Sequence, residues 1–341
     1  MIVDDSTVAR AVLSRMIGAY DEFEIVALAG SAREALDALK TVRVDVILLD
    51  IEMPGGSGLE ALPDILRMGK GARVLIVSSM AEDGAETTVR ALALGAADTL
   101  PKPGIGNFAG RFSLVLADRL RRIGRAAREA GVASPGDEMP LVRLRDMVDG
   151  PLGCVALAAS TGGLPALFEF LRPLPARIGA PILVTQHLPP IFMSHFARQL
   201  AAASGRTARV VENGDLLEDD IVHVAPGDAH LCVIRSKDGV HVKLDTRRVA
   251  SGCRPSADPM LVSVAEAYGA EAVGVMLSGM GRDGLIGSRR LVDQGGAMLA
   301  QDRHSAAVWG MPRVVAEAGL ASAVLPPAEL SRRIAERASW K

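Results

Sequence analysis

Three side chains in the second half of the sequence have the types and positions that nucleophilic chemistry requires. They are the hydroxyl of Ser160, the imidazole of His187 and the carboxylate of Asp283. A serine hydroxyl is a weak nucleophile until an imidazole accepts its proton, and a carboxylate orients that imidazole and stabilises its charged form. Each residue follows an apolar segment that we predict to be a strand, so the three can meet at one edge of a sheet. Because the chain has six histidines and many serines and aspartates, spacing alone leaves a chance coincidence open.

A second set of polar residues follows predicted strands in the first half of the sequence. Asp4 and Asp5 end the first strand and Asp50 ends the strand VDVILLD, so three carboxylates would converge at one edge of a sheet. Such carboxylates repel one another unless a divalent cation lies among them, and oxygen ligands suit Mg²⁺. Ser78 ends the fourth strand and Lys102 follows the fifth. This hydroxyl and this ammonium can bind the oxygens of a phosphoryl group on Asp50. Any one of these residues alone would more often be an exposed polar residue without a specific function.

The elements that would position these side chains form two α/β patterns. In residues 1–118, five short apolar strands alternate with helical periodicity, which predicts a parallel sheet covered on both faces. A second α/β pattern begins near residue 151, and its segment 208–244 has short strands and the turn signals Asn213-Gly214 and Asp238-Gly239, which predict an antiparallel block. The predicted strands are residues 1–3, 24–28, 44–49, 74–78 and 97–100, followed by 155–159, 182–185, 208–211, 221–224, 231–234, 240–244, 272–277 and 298–300.

The composition limits the class of protein. The 341 residues carry 38 Lys and Arg against 40 Asp and Glu, a net charge of −2, which argues against a protein that mainly coats nucleic acid. Aromatic residues make up 3%, too few for platforms on which bases or sugars stack. No apolar run approaches the roughly 18 to 20 residues of a membrane-spanning helix, so we expect no membrane insertion. Three cysteines at no metal-like spacing indicate a reduced, cytoplasmic protein.

The length predicts about two domains. We place them at residues 1–118 and 151–341, with residues 119–150 as a linker, because the stretch GVASPGDEMP interrupts helical periodicity there. Several arginines crowd the first part of this linker, between residues 119 and 128. A basic stretch of this kind is most often a solvated helix face, and we do not expect it to bind nucleic acid.

The strings VDDS, LLDIEMPGGSGLEAL, VSSM and LPKP resemble those of response-regulator receiver domains, over residues 1 to about 115. This resemblance implies a flavodoxin-like (βα)5 fold, with Asp50 as the phospho-acceptor and a chemotaxis histidine kinase as phosphodonor. It also implies a set of residues around the phosphoryl group: the Mg²⁺ ligands Asp4, Asp5 and Asp50 with the carbonyl of Glu52, the switch hydroxyl of Ser78, and the phosphate partner Lys102. Only three residues precede Asp4, fewer than receivers usually have, so we expect the native start to lie upstream and phosphorylation to depend on it.

The strings CVALAASTGG, ILVTQHLPP, VHVAPGDAHL, RPSADPML, VMLSGMGRDG and AVWGMP, in this order after a receiver, resemble the chemotaxis protein-glutamate methylesterases. The resemblance implies a doubly wound α/β catalytic domain without a cofactor, in which Ser160 is the nucleophile, His187 the general base and acid, and Asp283 the orienting carboxylate. Thr161 and the backbone of Met280 would lie beside the nucleophile or the oxyanion. Ala158 stands where glycine is usual, and its methyl group is expected to act only on the turn.

The same resemblance implies a function for the whole chain. Its substrate would be the γ-methyl ester of glutamate on the helical cytoplasmic region of chemoreceptors, hydrolysed to glutamate and methanol, and selected receptor glutamines would be deamidated. As a hypothesis, the unphosphorylated receiver covers the catalytic rim and phosphorylation of Asp50 increases the uncovered population. The alternative from another class is a receiver-controlled module that binds receptors without turnover. A DNA-binding output is disfavoured because the second domain is a long α/β domain.

Other polar residues are weaker candidates. His195, within the helical run FMSHFARQL, is expected to line a helix face, and His223 and His230 are expected to make structural hydrogen bonds. Arg254 and Asp258 either line the cleft or cap the helix that follows, and the sequence does not decide between the two. No histidine and cysteine cluster has the spacing of a zinc site.

Overall fold

The computed structural model describes residues 1–53, 57–78, 82–102, 109–132, 142–147 and 150–339. The chain divides into two compact units, Met1–Asp137 and Glu138–Lys341. Within the described residues, no helix combines the length and apolarity needed to cross a bilayer. Cys154, Cys232 and Cys253 are all free thiols.

The first unit is a parallel five-stranded sheet with the strand order β2-β1-β3-β4-β5, which is the flavodoxin-like order. Its strands are β1 Ile2–Val3, β2 Leu28–Ala29, β3 Val46–Leu49, β4 Arg73–Ser78 and β5 Asp98–Pro101. Its helices are α1 Thr7–Ile17, α2 Ala32–Ala38, α3 Gly58–Met68, α4 Glu82–Ala93 and α5 Ala109–Val132. Most residues of β1, β3 and β4 are apolar and buried, because helices cover both faces of a parallel sheet.

Local sequence explains where three of these helices begin. The hydroxyls of Ser6, Ser31 and Ser57 each accept a hydrogen bond from a backbone N–H in the first turn of α1, α2 and α3. Such caps stabilise a helix by about 1 kcal/mol each. They also fix where each loop from the carboxyl end of a strand enters its helix, and these loops carry the polar residues of the first unit.

The second strand is shorter than the prediction of residues 24–28. β2 comprises only Leu28 and Ala29, which pair with Ile2 and Val3 of β1. Because β1 has two residues, residues 24–26 have no strand beside them with which to form a ladder. The central strand β3 also pairs with β1, and Asp50 directly after β3 donates its backbone N–H to the carbonyl of Val3.

The second unit is a parallel seven-stranded sheet with the order β14-β13-β12-β6-β7-β9-β8. Its strands are β6 Cys154–Ala159, β7 Ile182–Gln186, β8 Ala208–Val210, β9 Val222–Val224, β12 Ala272–Met276, β13 Ala297–Gln301 and β14 Ala321–Leu325. Its helices are α6 Gly163–Leu171, α7 Pro190–Ser204, α8 Ala257–Tyr268, α9 Leu285–Asp293, α10 Met311–Glu317 and α11 Pro327–Ala338. Chain order reverses beside β6, and in open α/β sheets ligand sites lie at such a point.

The antiparallel prediction for residues 208–244 is only partly right. Strands β10 His230–Ser236 and β11 Gly239–Asp245 form a two-stranded antiparallel sheet, joined at Asp238-Gly239 as predicted. However, β8 and β9 pair parallel to each other and extend the main sheet. The Asn213-Gly214 turn does not join two antiparallel strands; the Asn213 side chain and the Gly214 N–H instead bind the backbone of β11.

The segment predicted as a linker contains ordered structure. Helix α5 continues to Val132, and its Arg121 pairs with Glu22 while Arg122 pairs with Asp118. Further along, residues 142–147 belong to the second unit, where the backbone N–H of Arg145 donates to the carbonyl of Ala321 at the edge of β14. Arg121 and Arg122 of α5 therefore make ion pairs within their own unit.

Candidate active site and phosphorylation site

The turn from β6 into α6 presents Ser160 at the carboxyl end of the sheet. The backbone N–H of Ser160 donates to the carbonyl of Ser278 at 2.9 Å, which ties this turn to the loop after β12. Gly162 has a φ of +70°, and a Cβ there would lie 2.3 Å from that of Ala307, so only glycine fits. Ala158 is fully buried in β6, and the turn forms with this methyl group in place.

Ser160, His187 and Asp283 form a continuous chain of hydrogen bonds, as their sequence positions predict. The hydroxyl of Ser160 lies 3.0 Å from Nδ1 of His187, and Nε2 of His187 lies 2.9 Å from Oδ2 of Asp283. They follow the neighbouring strands β6, β7 and β12, so adjacent strand ends bring them together. The carboxylate fixes the tautomer with the proton on Nε2, which leaves Nδ1 free to accept the serine proton.

The carboxylate of Asp283 is held by the start of helix α8. Asp283 is 1% exposed, its Oδ1 accepts the Ser256 hydroxyl at 2.5 Å, and its Oδ2 accepts the backbone N–H of Ala257 at 2.7 Å. Burial acts to raise the pKa of Asp283, but hydrogen bonds from His187, Ser256 and Ala257 outweigh it and lower that pKa to about 2. The group therefore stays charged beside the imidazole.

His230 fixes the position of Ser256. Its Nδ1 accepts the backbone N–H of Ser256 at 3.0 Å, and its Nε2 donates to the carbonyl of Arg247 at 2.8 Å. These two contacts define one tautomer of a nearly fully buried ring. The structural hydrogen bonding predicted for His230 therefore serves the site, because the ring positions the residue that holds Asp283.

The imidazole of His187 is more basic than an ordinary histidine. Burial acts to lower its pKa, but hydrogen bonds with the Asp283 carboxylate and the Cys253 thiol outweigh burial and raise the pKa to about 9. A base of this strength holds a proton tightly once it has accepted one. It is suited to take the proton of a serine hydroxyl during attack and to return it to a leaving group.

The loop after β12 approaches the nucleophile closely. A Cβ on Gly279 would lie 3.0 Å from Cβ of Ser160, so glycine is required for this contact. The next residue is Met280, whose backbone N–H has no acceptor among the described residues. Thr161 is buried, and its carbonyl accepts the hydroxyl of Ser278 at 2.8 Å. A free N–H beside the serine is the type of group that stabilises an oxyanion.

Several weaker candidates have structural contacts. The ring of His195 accepts a hydrogen bond from Arg198 one turn along α7, and His223 is fully buried with Nε2 at the backbone of Glu218. Asp258 lies in the first turn of α8, and it accepts the backbone N–H of Gly287 at 2.8 Å, so it braces α9. Arg254 lines a groove beside the site. Arg254 therefore lines a cleft, whereas Asp258 does not cap α8, whose N-cap is Ser256.

Sequence reasoning missed three residues that support the site. Ser256 is the N-cap of α8 and holds Asp283, Cys253 contacts His187, and Gln186 donates its side-chain amide to the carbonyl of Ser160 at 2.9 Å. The motif around Ser256 carries a capping signal, since serine before an apolar helix is a common N-cap. Gln186 ends β7 and pairs with Ala159 of β6, so adjacent strand ends bring it to Ser160. Nothing in the spacing of Cys253 predicts its proximity to His187, because that depends on how the loop before α8 folds.

The acidic cluster of the first unit forms as predicted. Asp4 and Asp50 are 1% and 2% exposed, and their carboxylate oxygens and that of Asp5 lie within 4.8 Å of one another. Lys102 contacts two of them, with its Nζ 2.6 Å from Asp50 and 3.0 Å from Asp4. Burial is the main cause that raises the pKa of Asp50. One ammonium does not balance three carboxylates, so the oxygen donors fit an added divalent cation such as Mg²⁺.

The structure describes the contact of Glu52 with Asp50, but for Ser78 it describes only the backbone. The backbone N–H of Glu52 donates to Oδ1 of Asp50 at 3.1 Å, so Glu52 is adjacent to the acceptor. Ser78 is the last residue of β4 and pairs with Pro101, but its side chain lies outside the described part of the structure. The backbone therefore puts Ser78 one strand from β3 and next to the strand that leads to Lys102.

Comparison with known proteins supports both halves of this description. The family model for the CheB methylesterase matches residues 155–334, and that for the response regulator receiver domain matches residues 1–107. The crystal structure of the Thermotoga maritima CheB methylesterase catalytic domain is 34% identical, with a TM-score of 0.53, and the match covers 55% of this chain and 99% of that one.

Whole-chain relatives have names that combine two activities. A protein of Caulobacter vibrioides called protein-glutamate methylesterase/protein-glutamine glutaminase 2 is 43% identical, over 99% of this chain and 98% of its own length. A Bordetella parapertussis protein-glutamate methylesterase/protein-glutamine glutaminase is 38% identical, over 99% of this chain and 96% of its own. The chain belongs to the CheB methylesterase family, with a response regulator receiver domain in its amino-terminal unit.

Proposed function

We propose that this protein removes methyl groups from glutamate γ-methyl esters of chemoreceptors and deamidates selected receptor glutamines. The observation that carries the proposal is the hydrogen-bonded chain from Ser160 through His187 to Asp283. The names of whole-chain relatives supply the substrate class. The direct test is the release of methanol from chemoreceptor membranes or peptides that carry the methyl ester. A receptor-binding module without turnover would release none, and three assembled catalytic groups argue against that alternative.

Each step of the reaction uses a group in the site. Nδ1 of His187 takes the proton from Ser160, and Oγ attacks the ester carbonyl to form a tetrahedral intermediate. The N–H of Met280, together with the backbone beside Thr161, stabilises its negative oxygen. His187 then gives its proton to the methoxy group, methanol leaves, and the glutamyl group remains esterified to Ser160. Water attacks this acyl-enzyme with His187 as base, which releases glutamate and restores Ser160.

Glutamine deamidation follows from the same groups. The amide carbonyl presents the same carbon to Ser160 and develops the same oxyanion. The difference lies in the leaving group, because His187 must protonate an amide nitrogen so that ammonia departs. The raised pKa of His187, about 9, is compatible with this protonation at neutral pH.

We propose that Asp50 is phosphorylated by a histidine kinase and that this controls hydrolysis. Mg²⁺ would be held by Asp4, Asp5 and Asp50 with the carbonyl of Glu52, and when bound it supplies charge neutralisation for the incoming phosphoryl group. Lys102 is placed to bind a phosphoryl oxygen, since its ammonium already contacts Asp50 at 2.6 Å. Ser78 is proposed as the switch hydroxyl. In this scheme residues 1–118 form the switch, residues 119–150 connect it, and residues 151–341 form a cofactor-free cytoplasmic enzyme.

Replacement of Asp50 by asparagine is expected to abolish activation by a small-molecule phosphodonor while basal methanol release continues. Allosteric coupling of this type changes activity by about 5- to 150-fold, so the wild type should gain a factor in that range. Removal of Mg²⁺ with a chelator should likewise suppress activation and spare the basal rate. The matched control is Asp45→Asn at the other end of the same strand, which should still be activated. Full activation of Asp50→Asn would contradict the proposed phosphorylation site.

The pH dependence of methanol release is expected to follow His187. Because the neutral imidazole is the base and its pKa is raised to about 9, kcat/KM should rise about ten-fold per pH unit below that value and level off above it. The measurement subtracts hydrolysis of the ester without enzyme. Cys253→Ser should move the profile to lower pH, since the thiol helps raise this pKa. A rate that is constant between about pH 6 and pH 8 would contradict this assignment.

The same ionisation affects stability in the opposite direction. The folded pKa of His187 lies above its ordinary value of 6.5, so its contribution to the free energy of unfolding is complete below pH 6.5 and is lost as the pH rises through about 9. Activity should therefore increase over the pH range in which this contribution to stability declines.

A further inference from the structure

A groove with an excess of positive charge opens beside the catalytic residues. Its volume is about 670 Å³, and the residues that line it include Arg247, Arg248 and Arg254 with a single acidic residue, Asp228. We call it the arginine groove. No step of the hydrolysis proposed above uses any of these four residues, so their charge needs a separate explanation.

The arginine groove adjoins the point at which the ester is cleaved. Cys253 lines the groove, and its sulfur lies within 4.8 Å of a ring nitrogen of His187. The sulfur of Cys253, a ring nitrogen of His187 and a carboxylate oxygen of Asp283 all lie within 4.8 Å of one another. Pro189 also lines the groove, and it follows His187 by two residues. A substrate whose ester reaches Ser160 therefore has its neighbouring side chains near the groove.

The three arginines differ in how much of their charge is available. Arg247 is held by Asp245, with Nη2 2.6 Å from Oδ2 and Nε 2.9 Å from the same oxygen. Arg248 and Arg254 are exposed, and within the described part of the chain neither has a hydrogen bond or an ion pair. Two guanidinium groups with free donors form a site for carboxylates, which arginine binds through paired N–H···O bonds.

The substrate supplies carboxylates as a consequence of the reaction. Each hydrolysis converts a neutral ester into a charged glutamate, so a substrate with several modifiable glutamates carries carboxylates beside its remaining esters. On a helix, side chains three or four residues apart are separated by about 5–6 Å at Cβ, so one can enter the groove while the other reaches Ser160. This step rests on the proposed glutamyl ester substrate.

We propose that Arg248 and Arg254 bind an unesterified glutamate of the substrate next to the ester under attack. The enzyme then prefers esters that have a free glutamate neighbour, and demethylation of one site favours demethylation of the next. Neither arginine touches the reacting atoms, so the effect falls on KM and leaves kcat unchanged. For charge-assisted hydrogen bonds at an exposed site, a factor of about 5 to 20 in kcat/KM is expected at low salt.

The test uses the full chain and two helical peptides that each carry one glutamate γ-methyl ester. One peptide has glutamate four residues from the ester on either side, and the other has methionine at those positions, which is uncharged and cannot be deamidated. Methanol release gives kcat and KM for the wild type, for the double variant Arg248→Gln/Arg254→Gln, and for Arg289→Gln. Arg289 is an exposed arginine on α9 outside the groove, so its variant removes one charge without altering the groove.

The wild type and Arg289→Gln are expected to favour the glutamate peptide about 5- to 20-fold through KM, and the double variant is expected to treat both peptides alike. Equal rates for both peptides in the wild type would overturn the proposal. So would a preference that persists in the double variant, or a change in the double variant that is the same for both peptides. Absence of methanol from both peptides with the wild type would instead overturn the proposed hydrolysis, and with it this inference.

Discussion

The Ser160→Ala chain is expected to lose methanol release by on the order of 10⁴- to 10⁶-fold, because the atom that forms the acyl-enzyme is removed. A factor of 10⁶ corresponds to about 8 kcal/mol of transition-state stabilisation. The fold should be retained, since the contacts that hold the turn are made by the backbone of Ser160, whose N–H binds Ser278 and whose carbonyl binds Gln186. Methanol release and the midpoint of thermal unfolding, measured on the same preparation, separate loss of the nucleophile from loss of structure.

Ser194→Ala is the matched control for this variant. Ser194 is an exposed serine on α7, and replacing it removes the same hydroxyl from the same unit without touching the catalytic chain. Its methanol release should equal that of the wild type. If Ser160→Ala kept more than about a tenth of the wild-type rate, Ser160 would not be the nucleophile, and another hydroxyl or a water molecule would have to attack.

Asp283→Asn is expected to reduce kcat by about 10⁴-fold, the loss that the equivalent change causes in serine hydrolases of this design. The amide is nearly the same size, so its oxygen can keep the contact with the Ser256 hydroxyl, but an NH₂ in the Oδ2 position gives up the contact with the Ala257 N–H, because both groups are donors. It has no charge to stabilise the imidazolium, and its NH₂ can face Nε2 of His187 and favour the tautomer that cannot accept the serine proton. The upward shift of the His187 pKa should also fall, because the Asp283 carboxylate contributes to it.

Asp258→Asn is the control for a buried carboxylate in the same region. Asp258 is 8% exposed and binds the N–H of Gly287, and its interaction with Asp283 passes through space and not through a hydrogen bond. Burial is the main cause that raises its pKa to about 6, so an uncharged amide is tolerated there. Its kcat should stay within ten-fold of the wild type. A loss as large as that of Asp283→Asn would show that the effect comes from perturbing helix α8 and not from the catalytic carboxylate.

The strands and the residues at their ends could be predicted because both follow local rules. Apolar β-branched segments predicted nearly all of the strands of the first unit and strands β6, β7 and β12 of the second. Ser160 and His187 come directly after β6 and β7, and Asp283 lies in the loop between β12 and α9. In a parallel sheet the carboxyl ends of adjacent strands share one edge. The positions of these residues along the chain therefore allowed them to meet, and the resemblance to the methylesterases selected this set among other possible combinations of serine, histidine and aspartate.

The parts that could not be predicted depend on contacts between distant segments. Strand β14 and helices α10 and α11 were not predicted, and β8 and β9 were placed in an antiparallel block although they extend the parallel sheet. Turn signals such as Asn213-Gly214 indicate a change of direction, but they do not say which strand lies beside the next one. The contact between Cys253 and His187 likewise depends on how the loop before α8 folds against the end of β7.

The arginine groove also depends on contacts between distant segments of the chain. Arg248 and Arg254 lie in an exposed segment after β11, and nothing in their spacing links them to His187 or to each other. The fold brings this segment to the catalytic edge because β10 packs against α8, whose first residues hold Asp283. The β10–β11 hairpin therefore packs on the helix that positions Asp283 and also leads into the segment that carries Arg248 and Arg254.

The central claim is that Ser160, activated by His187, is the nucleophile of this enzyme. An organophosphorus fluoride, which phosphonylates activated serines, tests it most directly when the labelled chain is digested and mapped by mass spectrometry. We expect one phosphonyl group per chain, located on Ser160, with methanol release lost in proportion to the fraction labelled. Methanol release that continues after Ser160 is fully modified, or inactivation with the label on a different residue, would contradict the account.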